Sequence, residues 1–321
     1  MDVYHRQHLL RHLGMGKENN KMQKIKLHPS LPDFSRIVYG AWRMNDDVNN
    51  APKDALAKIQ AALDVGITTF DHADIYGDYS CETLFGEALR LDASIKERIQ
   101  IVTKCDIMLK SEKYPERRVK YYDTSPAHIK ASVDASLARL GVDVIDVLLI
   151  HRPDPFMDAA ATGACLDELI KVGKIRAAGV SNFMPHDWNL LQANMSTPLV
   201  TNQLEIGLLA RHALTDGTLA QAQQLKAPPM AWSPLGGGAL FTDETHADHL
   251  RPALHRIAVH HGVMIDAVAV AWLLAHPARI LPVMGTNNLE RISKLGDAFK
   301  VDMPRETWFE LLELARGHEV A

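Results

Sequence analysis

The residues ITTFDHADIYG at positions 67–77 join an apolar run to two side chains with acid–base chemistry. Ile67 to Phe70 is typical of a buried strand, and Asp71 follows it directly. Tyr76 lies beyond Asp71 in a short turn that Gly77 closes. Because core packing alone would select neither an acid nor a phenol here, the stretch predicts a strand whose carboxyl end carries chemistry.

Two further apolar runs of the chain also end in a polar side chain. Ile99 to Thr103 is followed by Lys104, and Val144 to Ile150 is followed by His151. An acid, a phenol, an amine and an imidazole at one rim could form a single proton-transfer centre. The predicted catalytic group is therefore Asp71, Tyr76, Lys104 and His151.

From residue 36 onward, short β-prone runs alternate with longer helical patterns, which is typical of a parallel sheet. The predicted strands are Ile37 to Tyr39, Ile67 to Phe70, Ile99 to Thr103, Val147 to Ile150, Ala177 to Val180, Leu199 to Gln203, Met230 to Ser233 and Ile280 to Val283. The clearest helices are Lys53 to Val65, Pro126 to Leu140, Asp158 to Val172, Leu214 to Leu225, His249 to His260 and Asp266 to Leu274. Strand–helix units repeated over about 260 residues predict an α/β fold, the closed (β/α)8 TIM barrel. Lys24 to Leu27 and Asp33 to Ser35 are expected to form an N-terminal β-hairpin that closes the bottom of the barrel.

Length and composition fit one soluble enzyme. The chain has 321 residues, of which 47% are hydrophobic, and this suffices for an extensive core. Because no linker interrupts the alternation, we predict a single barrel domain over residues 24–321, preceded by an N-terminal extension over residues 1–23. That extension lacks the sustained apolar core of a signal peptide or a membrane anchor.

Charge and cysteine usage argue against several classes of partner. The formal charge of −4 gives no electrostatic reason to expect nucleic acid or an anionic membrane surface. Cys81, Cys105 and Cys165 show no C-x-x-C spacing, so a reducing compartment and a cytoplasmic location are predicted. His8 and His12 lack a third ligand, and no metal site is predicted. No feature indicates a protein partner, and a small-molecule substrate is expected.

The four polar groups suit proton transfer to a carbonyl oxygen. A phenol is a poor acid at neutral pH, with a free pKa of about 10. Lys104 could stabilise the phenolate that Tyr76 leaves behind, and Asp71 could keep Lys104 charged and oriented. His151 could donate a hydrogen bond to a substrate oxygen while another group, such as a hydride, attacks the carbon.

A nicotinamide site is predicted without the usual dinucleotide fingerprint, because no glycine cluster has that pattern in the right context. Ser181, Asn182 and Gln203 offer hydroxyl and amide groups for a carboxamide, and Trp232 offers a flat face for stacking. The loop that follows would let backbone N–H groups approach a pyrophosphate, and it consists of Ser233, Pro234, Leu235, Gly236, Gly237 and Gly238. Taken singly, each of these features is more often plain structure.

In order and spacing, several segments together resemble the aldo-keto reductase superfamily over residues 24 to 315. They are TFDHADIYG (69–77), VTK (102–104), LLIH (148–151), GVSNF (179–183), NQ (202–203) and WSPLG (232–236). The stretch HRPDP at 151–155 is similar to a bacterial branch of aldo/keto reductase-type oxidoreductases. The resemblance implies an NADPH-dependent oxidoreductase that reduces aldehydes or ketones to alcohols.

The resemblance also implies roles for individual residues. The implied catalytic tetrad is Asp71, Tyr76, Lys104 and His151, with Tyr76 as general acid in reduction and general base in oxidation. In the implied cofactor site, Gly40, Ala41, Trp42 and Asp71 border the cleft, Trp232 stacks on the nicotinamide, and Ser181, Asn182 and Gln203 hold its carboxamide. Gly285, Thr286, Asn287 and Arg291 match the family's adenosine 2′-phosphate site, which favours NADPH over NADH.

The chain departs from the family pattern around the adenosine. Gly285 stands where the family often has Lys, and Lys294 and Leu295 stand where a Glu-Asn pair touches adenine. The predicted preference for the 2′-phosphate therefore rests mainly on Arg291 and Thr286.

Other interpretations stay open at this point. A Schiff-base lyase would use Lys104 as its amine nucleophile. A cofactor-binding regulatory protein would keep the fold and turn over slowly. The irregular stretch Cys105 to Ser125 is a candidate lid or a solvated surface excursion. His72, where the family has small residues, is expected to contact neighbouring loops. The sequence names neither the physiological substrate nor the oligomeric state.

Overall fold

The computed structural model describes residues 22–246 and 248–321. Its strands are β1 (Lys24–Ile25), β2 (Phe34–Ser35), β3 (Val38–Gly40), β4 (Thr69–Asp71), β5 (Gln100–Cys105), β6 (Ile107–Met108), β7 (Tyr121–Tyr122), β8 (Ile145–Ile150), β9 (Ile175–Ser181), β10 (Leu199–Glu205), β11 (Met230–Trp232) and β12 (Leu281–Met284). The predicted extension, apart from residues 22 and 23, lies outside the described residues, as do His8 and His12.

The α-helices lie between the strands and after the last of them. They are α1 (Pro52–Asp64), α2 (Tyr76–Tyr79), α3 (Cys81–Leu91), α4 (Pro126–Leu140), α5 (Ala159–Lys171), α6 (Pro185–Gln192), α7 (Thr218–Leu225), α8 (Ala239–Thr242), α9 (Leu250–His261), α10 (Ile265–Leu274), α11 (Leu289–Ser293) and α12 (Arg305–Arg316). Short 3-10 helices occur at Met44–Asp46, Ala93–Arg98, His212–Leu214, Gly236–Gly238, Glu244–His246 and Leu295–Lys300.

Parallel strands close into a barrel in the order β10-β11-β12-β3-β4-β5-β8-β9. Its register brings Gly40 opposite Asp71 and Asp71 opposite Val102, so the carboxyl ends of successive strands meet at one rim. The predicted (β/α)8 barrel is confirmed. The division into an extension and a single domain stays a prediction.

The barrel interior is filled by apolar side chains from alternating strand positions. Val102, Val147, Leu149 and Met230 are almost fully buried there and belong to one cluster. Burying each such side chain contributes about 1.5–3 kcal/mol to folding. The interior is therefore a packed core, which leaves the open rim as the place for a cleft.

The predicted N-terminal hairpin is confirmed, and it closes the barrel at the amino ends of the strands. Strands β1 and β2 pair antiparallel, and Ile25 and Phe34 join the interior cluster. The Ser35 hydroxyl oxygen accepts hydrogen bonds from the backbone N–H groups of Thr68 and Thr69, at the start of β4. The end of the barrel opposite the chemistry is thus covered.

Local capping sets the helix boundaries. Helix α4 begins where Ser125 accepts a hydrogen bond from the His128 N–H, and it ends at Gly141, whose φ of 66° is a left-handed cap. The predicted helix from Leu214 is wrong at its start. A separate 3-10 helix at His212–Leu214 comes first, and α7 begins at Thr218 after Gly217, whose φ is 92°.

The stretch from Cys105 to Ser125 is less irregular than predicted. Strands β6 and β7 pair antiparallel within it, with Ile107 opposite Tyr122. Arg117 lies 3.6 Å from the centroid of the Tyr114 ring and donates to the Tyr79 hydroxyl at 2.7 Å. These contacts tie the stretch to α2, the element that carries Tyr76.

No single helix within 22–246 and 248–321 is both long and apolar enough to cross a membrane. The pair Leu250–His261 and Ile265–Leu274 reaches that length and composition only together, with a bend of 92° between them. The cytoplasmic location stays a prediction.

Candidate active site

The four residues predicted as the catalytic group meet at the carboxyl rim of the barrel. Asp71 ends β4, Lys104 is the penultimate residue of β5, and His151 directly follows β8. Tyr76 begins α2. Neighbouring parallel strands carry three of these side chains, and the loop after β4 brings the fourth over them.

Lys104 is the centre of the group. Its side chain is fully buried, and Nζ lies 2.8 Å from Asp71 Oδ2, 2.7 Å from the His72 carbonyl oxygen and 2.9 Å from the Tyr76 hydroxyl oxygen. The carboxylate and the carbonyl can only accept, so Nζ donates to both. The third donor of the ammonium form is then directed at Tyr76. Burial lowers the pKa of Lys104, and the negative charge of Asp71 opposes that effect.

Both oxygens of Asp71 have partners. Oδ2 accepts from Lys104, and Oδ1 accepts from Gln203 Nε2 at 2.7 Å. Gln203 lies in β10 on the far side of the barrel and is itself buried. The carboxylate is therefore held from two directions, which fixes where it places the Lys104 ammonium group.

Tyr76 sits in a strained turn above this pair. Gly77, Asp78 and Tyr79, which follow it, all have positive φ values of 59°, 50° and 65°. Burial raises the pKa of the Tyr76 phenol well above its ordinary value, and the Asp71 charge raises it further. In the free protein the phenol is therefore protonated at neutral pH, which is the form that a general acid needs.

His151 completes the group as a neutral imidazole. Its ring lies edge-on to the Tyr76 ring, with centroids 6.1 Å apart. Burial lowers the pKa of His151 well below 6.5, and the charges of Lys104 and Arg152 add to the effect. Nδ1 is buried without a hydrogen-bond partner among the described residues. A neutral ring can still donate one hydrogen bond.

The side chains of two residues beside the group point into the core. His72 is fully buried, and its ring centroid lies 4.4 Å from that of Phe85 in α3. Burial lowers the pKa of His72 to about 3. The ring therefore packs against α3 in the core, and the expected contact with neighbouring loops stays a prediction. Cys105 lies in the cluster with Ile129 and Val133 of α4, on the helix side of its strand.

The residues predicted to hold a carboxamide form a hydrogen-bonded chain. The Trp232 indole N–H donates to Asn182 Oδ1 at 2.9 Å, and Asn182 Nδ2 donates to Ser181 Oγ at 2.8 Å. Ser181 Oγ donates in turn to the Gln203 carbonyl oxygen at 2.9 Å. Asn182 adopts a φ of 60°, which amide side chains tolerate better than most. These side chains are therefore fixed before any ligand arrives.

An arginine that was not predicted as a site residue lies beside the predicted pyrophosphate loop. Gly236, Gly237 and Gly238 all have positive φ, at 59°, 65° and 108°. A Cβ atom on Gly237 would lie 3.7 Å from Arg43 Nη2, and one on Gly238 would meet nothing within 4 Å. The loop backbone is thus open, with the Arg43 guanidinium group next to it. Sequence reasoning missed Arg43, although it directly follows the predicted residues Gly40, Ala41 and Trp42.

The segment predicted to bind a 2′-phosphate lies next to that arginine. Asn287 Nδ2 donates to the Arg43 carbonyl oxygen at 2.7 Å, and the Tyr39 hydroxyl donates to the Thr286 carbonyl oxygen at 2.9 Å. Arg291 is exposed on α11. Leu295 is buried in the core cluster that includes Ile59, so it offers no contact surface to an adenine ring.

Comparisons with known proteins agree with this arrangement. The aldo/keto reductase family model matches residues 36–316. The chain belongs to the aldo/keto reductase family. It is 52% identical over 300 residues to 6-dehydroglucose reductase from Agrobacterium fabrum (strain C58), covering 94% of this chain and 100% of that relative. The chain is therefore an oxidoreductase of the aldo/keto reductase type.

Solved aldo/keto reductase structures share the fold. The glycerol dehydrogenase AKR11B4 from Gluconobacter oxydans superimposes with a TM-score of 0.78 at 25% identity, covering 94% of this chain and 96% of that chain. An aldo/keto reductase from Klebsiella pneumoniae in complex with NADP and acetate has a TM-score of 0.74 at 24% identity, covering 92% and 97%. These likenesses place this aldo/keto reductase among (β/α)8 barrels.

Within residues 22–246 and 248–321, no group of His, Cys, Asp or Glu side chains is arranged to hold a metal ion. The rings of His260 and His261 lie edge to face at the end of α9, with centroids 4.8 Å apart.

Proposed function

We propose that this aldo/keto reductase transfers a hydride from NADPH to an aldehyde or ketone, with Tyr76 supplying the proton. The observation that carries the proposal is the position of Lys104 Nζ, 2.8 Å from Asp71 Oδ2 and 2.9 Å from the Tyr76 hydroxyl oxygen. A buried cation between a carboxylate and a phenol stabilises the phenolate formed when the phenol gives up its proton.

The donor set around the cleft fits NADPH. The Arg43 guanidinium group, beside the side-chain-free surface of Gly237 and Gly238, suits a pyrophosphate. Gln203 Oε1 makes no hydrogen bond to the described residues, so it can accept from a carboxamide NH2 group. The exposed Arg291 and the backbone around Thr286 suit a 2′-phosphate. When bound, NADPH supplies the hydride that attacks the carbonyl carbon.

The residues of the chain then control the proton and the substrate oxygen. Because Lys104 donates to the Tyr76 oxygen, the phenol proton stays free to point at the substrate. His151 is neutral and donates a hydrogen bond from its ring to the same substrate oxygen. Tyr76 gives its proton to that oxygen as negative charge develops there. In the reverse direction, the phenolate takes the proton back from the alcohol.

The geometry weighs against a Schiff-base lyase. Lys104 Nζ is fully buried and makes three hydrogen bonds, whereas an amine nucleophile needs an open path to its lone pair. That alternative also leaves the Trp232–Asn182 hydrogen bond and Arg291 without a role.

The substrate class that we propose is an aldehyde or ketone of a sugar. The support is the 52% identity, over essentially the whole length of both chains, to the Agrobacterium 6-dehydroglucose reductase. Arg152, 5.8 Å from the centroid of the Trp232 ring, adds a cationic hydrogen-bond donor near the cleft that suits hydroxyl groups. A carbonyl at C6 of a hexose is therefore the first substrate to test.

The first experiment is a titration with NADPH and then NADH, followed by tryptophan fluorescence. Binding at the proposed site quenches Trp232, and the Trp232→Phe variant should bind NADPH with a smaller change in signal. Tighter binding of NADPH than of NADH supports the 2′-phosphate site. Equal affinities overturn only the proposed phosphate contacts and leave the rest of the cofactor site standing. Failure of both nucleotides to bind overturns the proposed function.

The second experiment is single-turnover oxidation of bound NADPH with 6-dehydroglucose, with glucose as the control that carries an alcohol at C6. Oxidation with the first compound alone supports the proposed function and its substrate class. Oxidation with simple aldehydes but not with 6-dehydroglucose overturns the sugar assignment. Cofactor binding without any turnover favours the regulatory interpretation, and borohydride trapping of a sugar carbonyl on Lys104 favours the lyase.

A further inference from the structure

One cavity is distinct from the proposed catalytic and cofactor sites. It has a volume of about 780 Å³ and lies between the loop after β10, the turn after α10, and helix α12. None of the tetrad or predicted cofactor residues lines it. Its chemistry therefore has no part in the function proposed above.

The charges that line this cavity are all of one sign. Arg211, Arg305 and Arg316 contribute guanidinium groups, and no carboxylate is among the described lining residues. Within the described part of the chain, none of these three arginines forms an ion pair, and the side chains of Arg305 and Arg316 make no hydrogen bond. Burial lowers the pKa of Arg211, and the nearby positive charge of Arg316 lowers it further. The like charges of Arg211 and Arg316 are close enough to interact, so an anion bound beside them would relieve that repulsion.

Imidazole groups add to the basic character of the cavity. His212, His276 and His318 line it together with the arginines. His276 Nδ1 accepts a hydrogen bond from the Ala278 N–H, which leaves the other ring nitrogen as a donor. The cavity therefore offers several hydrogen-bond donors for an anionic group.

An aromatic wall faces these donors. Trp308 in α12 stacks on Trp272 in α10, with ring centroids 4.7 Å apart and planes 6° apart. Each indole N–H donates to the other residue's carbonyl oxygen, at 3.0 and 2.9 Å. Phe309 and Leu312 extend the apolar side. Trp308 is thus already held in place. A planar apolar group can therefore pack against it without the entropic cost of immobilising the side chain.

We propose that this cavity binds a small organic anion, with its carboxylate or phosphate held by Arg211, Arg305 and Arg316 and its apolar body against Trp308. A guanidinium fork matches both kinds of anionic head group, and the apolar wall selects ligands that carry a ring or a branched chain. A volume of about 780 Å³ is ample for such a ligand.

The test uses two fluorinated anions, 4-(trifluoromethyl)benzoate and 4-(trifluoromethyl)phenyl phosphate, and the uncharged 4-(trifluoromethyl)benzamide. Binding to the full chain is measured by fluorine NMR line broadening with the cofactor site saturated by NADP+. At least one anion should bind, and the amide should bind about tenfold more weakly or not at all. Which anion binds more tightly identifies the preferred head group.

Matched variants locate the binding. Arg305→Gln with Arg316→Gln should weaken anion binding by about tenfold or more, because charge-assisted hydrogen bonds are lost. The control variant, Arg90→Gln with Arg98→Gln, also removes two positive charges, but from exposed positions that do not line the cavity. It should leave anion binding unchanged. Equal binding of the amide, unchanged binding in the first variant, or no binding of either anion would overturn the proposal.

Discussion

The Lys104 ammonium nitrogen lies 2.9 Å from the Tyr76 phenol oxygen, and its other two donors are taken by Asp71 Oδ2 and the His72 carbonyl oxygen. With all three donors used, Lys104 has one possible orientation. The phenol oxygen accepts this hydrogen bond, so the phenol proton is left for another acceptor. This relationship supports the proposed roles of Tyr76 as the proton donor and of Lys104 as the group that stabilises the resulting phenolate.

The first prediction concerns the proton itself. Tyr76→Phe removes the phenol oxygen and little else, so carbonyl reduction should fall by about 10²- to 10⁴-fold, the usual worth of a general acid. NADPH affinity should be unchanged, because this variant leaves the proposed cofactor contacts intact. Steady-state turnover and fluorescence titration measure the two quantities.

Tyr121→Phe is the control for that experiment, since Tyr121 is 43% exposed in β7 and lies outside the tetrad. It should keep normal turnover. Normal turnover in Tyr76→Phe would contradict the assignment of the proton donor.

The second prediction concerns the pH dependence of the reaction. Burial and Asp71 raise the pKa of Tyr76 well above 10, and burial lowers the pKa of His151 well below 6.5. Neither group changes protonation between about pH 6.5 and pH 9. These two groups should therefore add no break to the rate of reduction across that range, whereas alcohol oxidation, which needs the phenolate, should rise with pH. A break in the reduction profile near pH 6.5 would show that the charge of His151 matters.

How well a contact of the site could be predicted from the sequence depends on how far apart its two residues lie along the chain. Asp71, Lys104 and His151 could be predicted because each ends or follows an apolar run, and parallel strands bring such positions to one rim. The hydrogen bond from Gln203 to Asp71 crosses the barrel between residues 132 positions apart, and no periodicity signals it. Sequence reasoning had assigned Gln203 to the carboxamide alone.

Contacts between surface residues of separate segments were the hardest to predict from the sequence. Arg43 meets the glycine loop only because β3 and the loop after β11 lie at the same rim. The cavity beside α12 is formed by residues from three separate segments, and none of them carries a recognisable motif. By contrast, the hairpin at the base was predictable from local β-prone runs that pair over a short distance.

The third prediction concerns cofactor preference. Arg291→Ala should weaken NADPH binding by about tenfold or more and leave NADH binding unchanged, because only NADPH carries the 2′-phosphate. Lys294→Ala removes a neighbouring positive charge that already pairs with Glu290 at 2.6 Å, so it should have a smaller effect. The ratio of the two dissociation constants, measured by fluorescence titration, is the readout. An unchanged ratio in Arg291→Ala would remove that residue from the phosphate site.

The last prediction concerns a buried carboxyl group behind the tetrad. Asp74 is almost fully buried, with Oδ2 accepting from the Ser132 hydroxyl at 2.8 Å and Oδ1 without a partner among the described residues. Burial raises the pKa of Asp74 from 3.8 to about 7. Between those pH values the folded protein holds a proton that the unfolded chain has released. Asp74 therefore makes stability fall as pH rises from about 4 to about 7.

Asp74→Asn should remove this pH dependence, because an amide stays neutral in both states. The free energy of unfolding of Asp74→Asn, relative to the wild type, should rise by up to about 4 kcal/mol from pH 4 to pH 7. Urea denaturation at several pH values measures the difference. Asp64→Asn, at an exposed position in α1, is the control and should differ from the wild type by the same amount at each pH. Parallel curves for Asp74→Asn and the wild type would mean that the Asp74 carboxyl group is already ionised in the folded protein at pH 4.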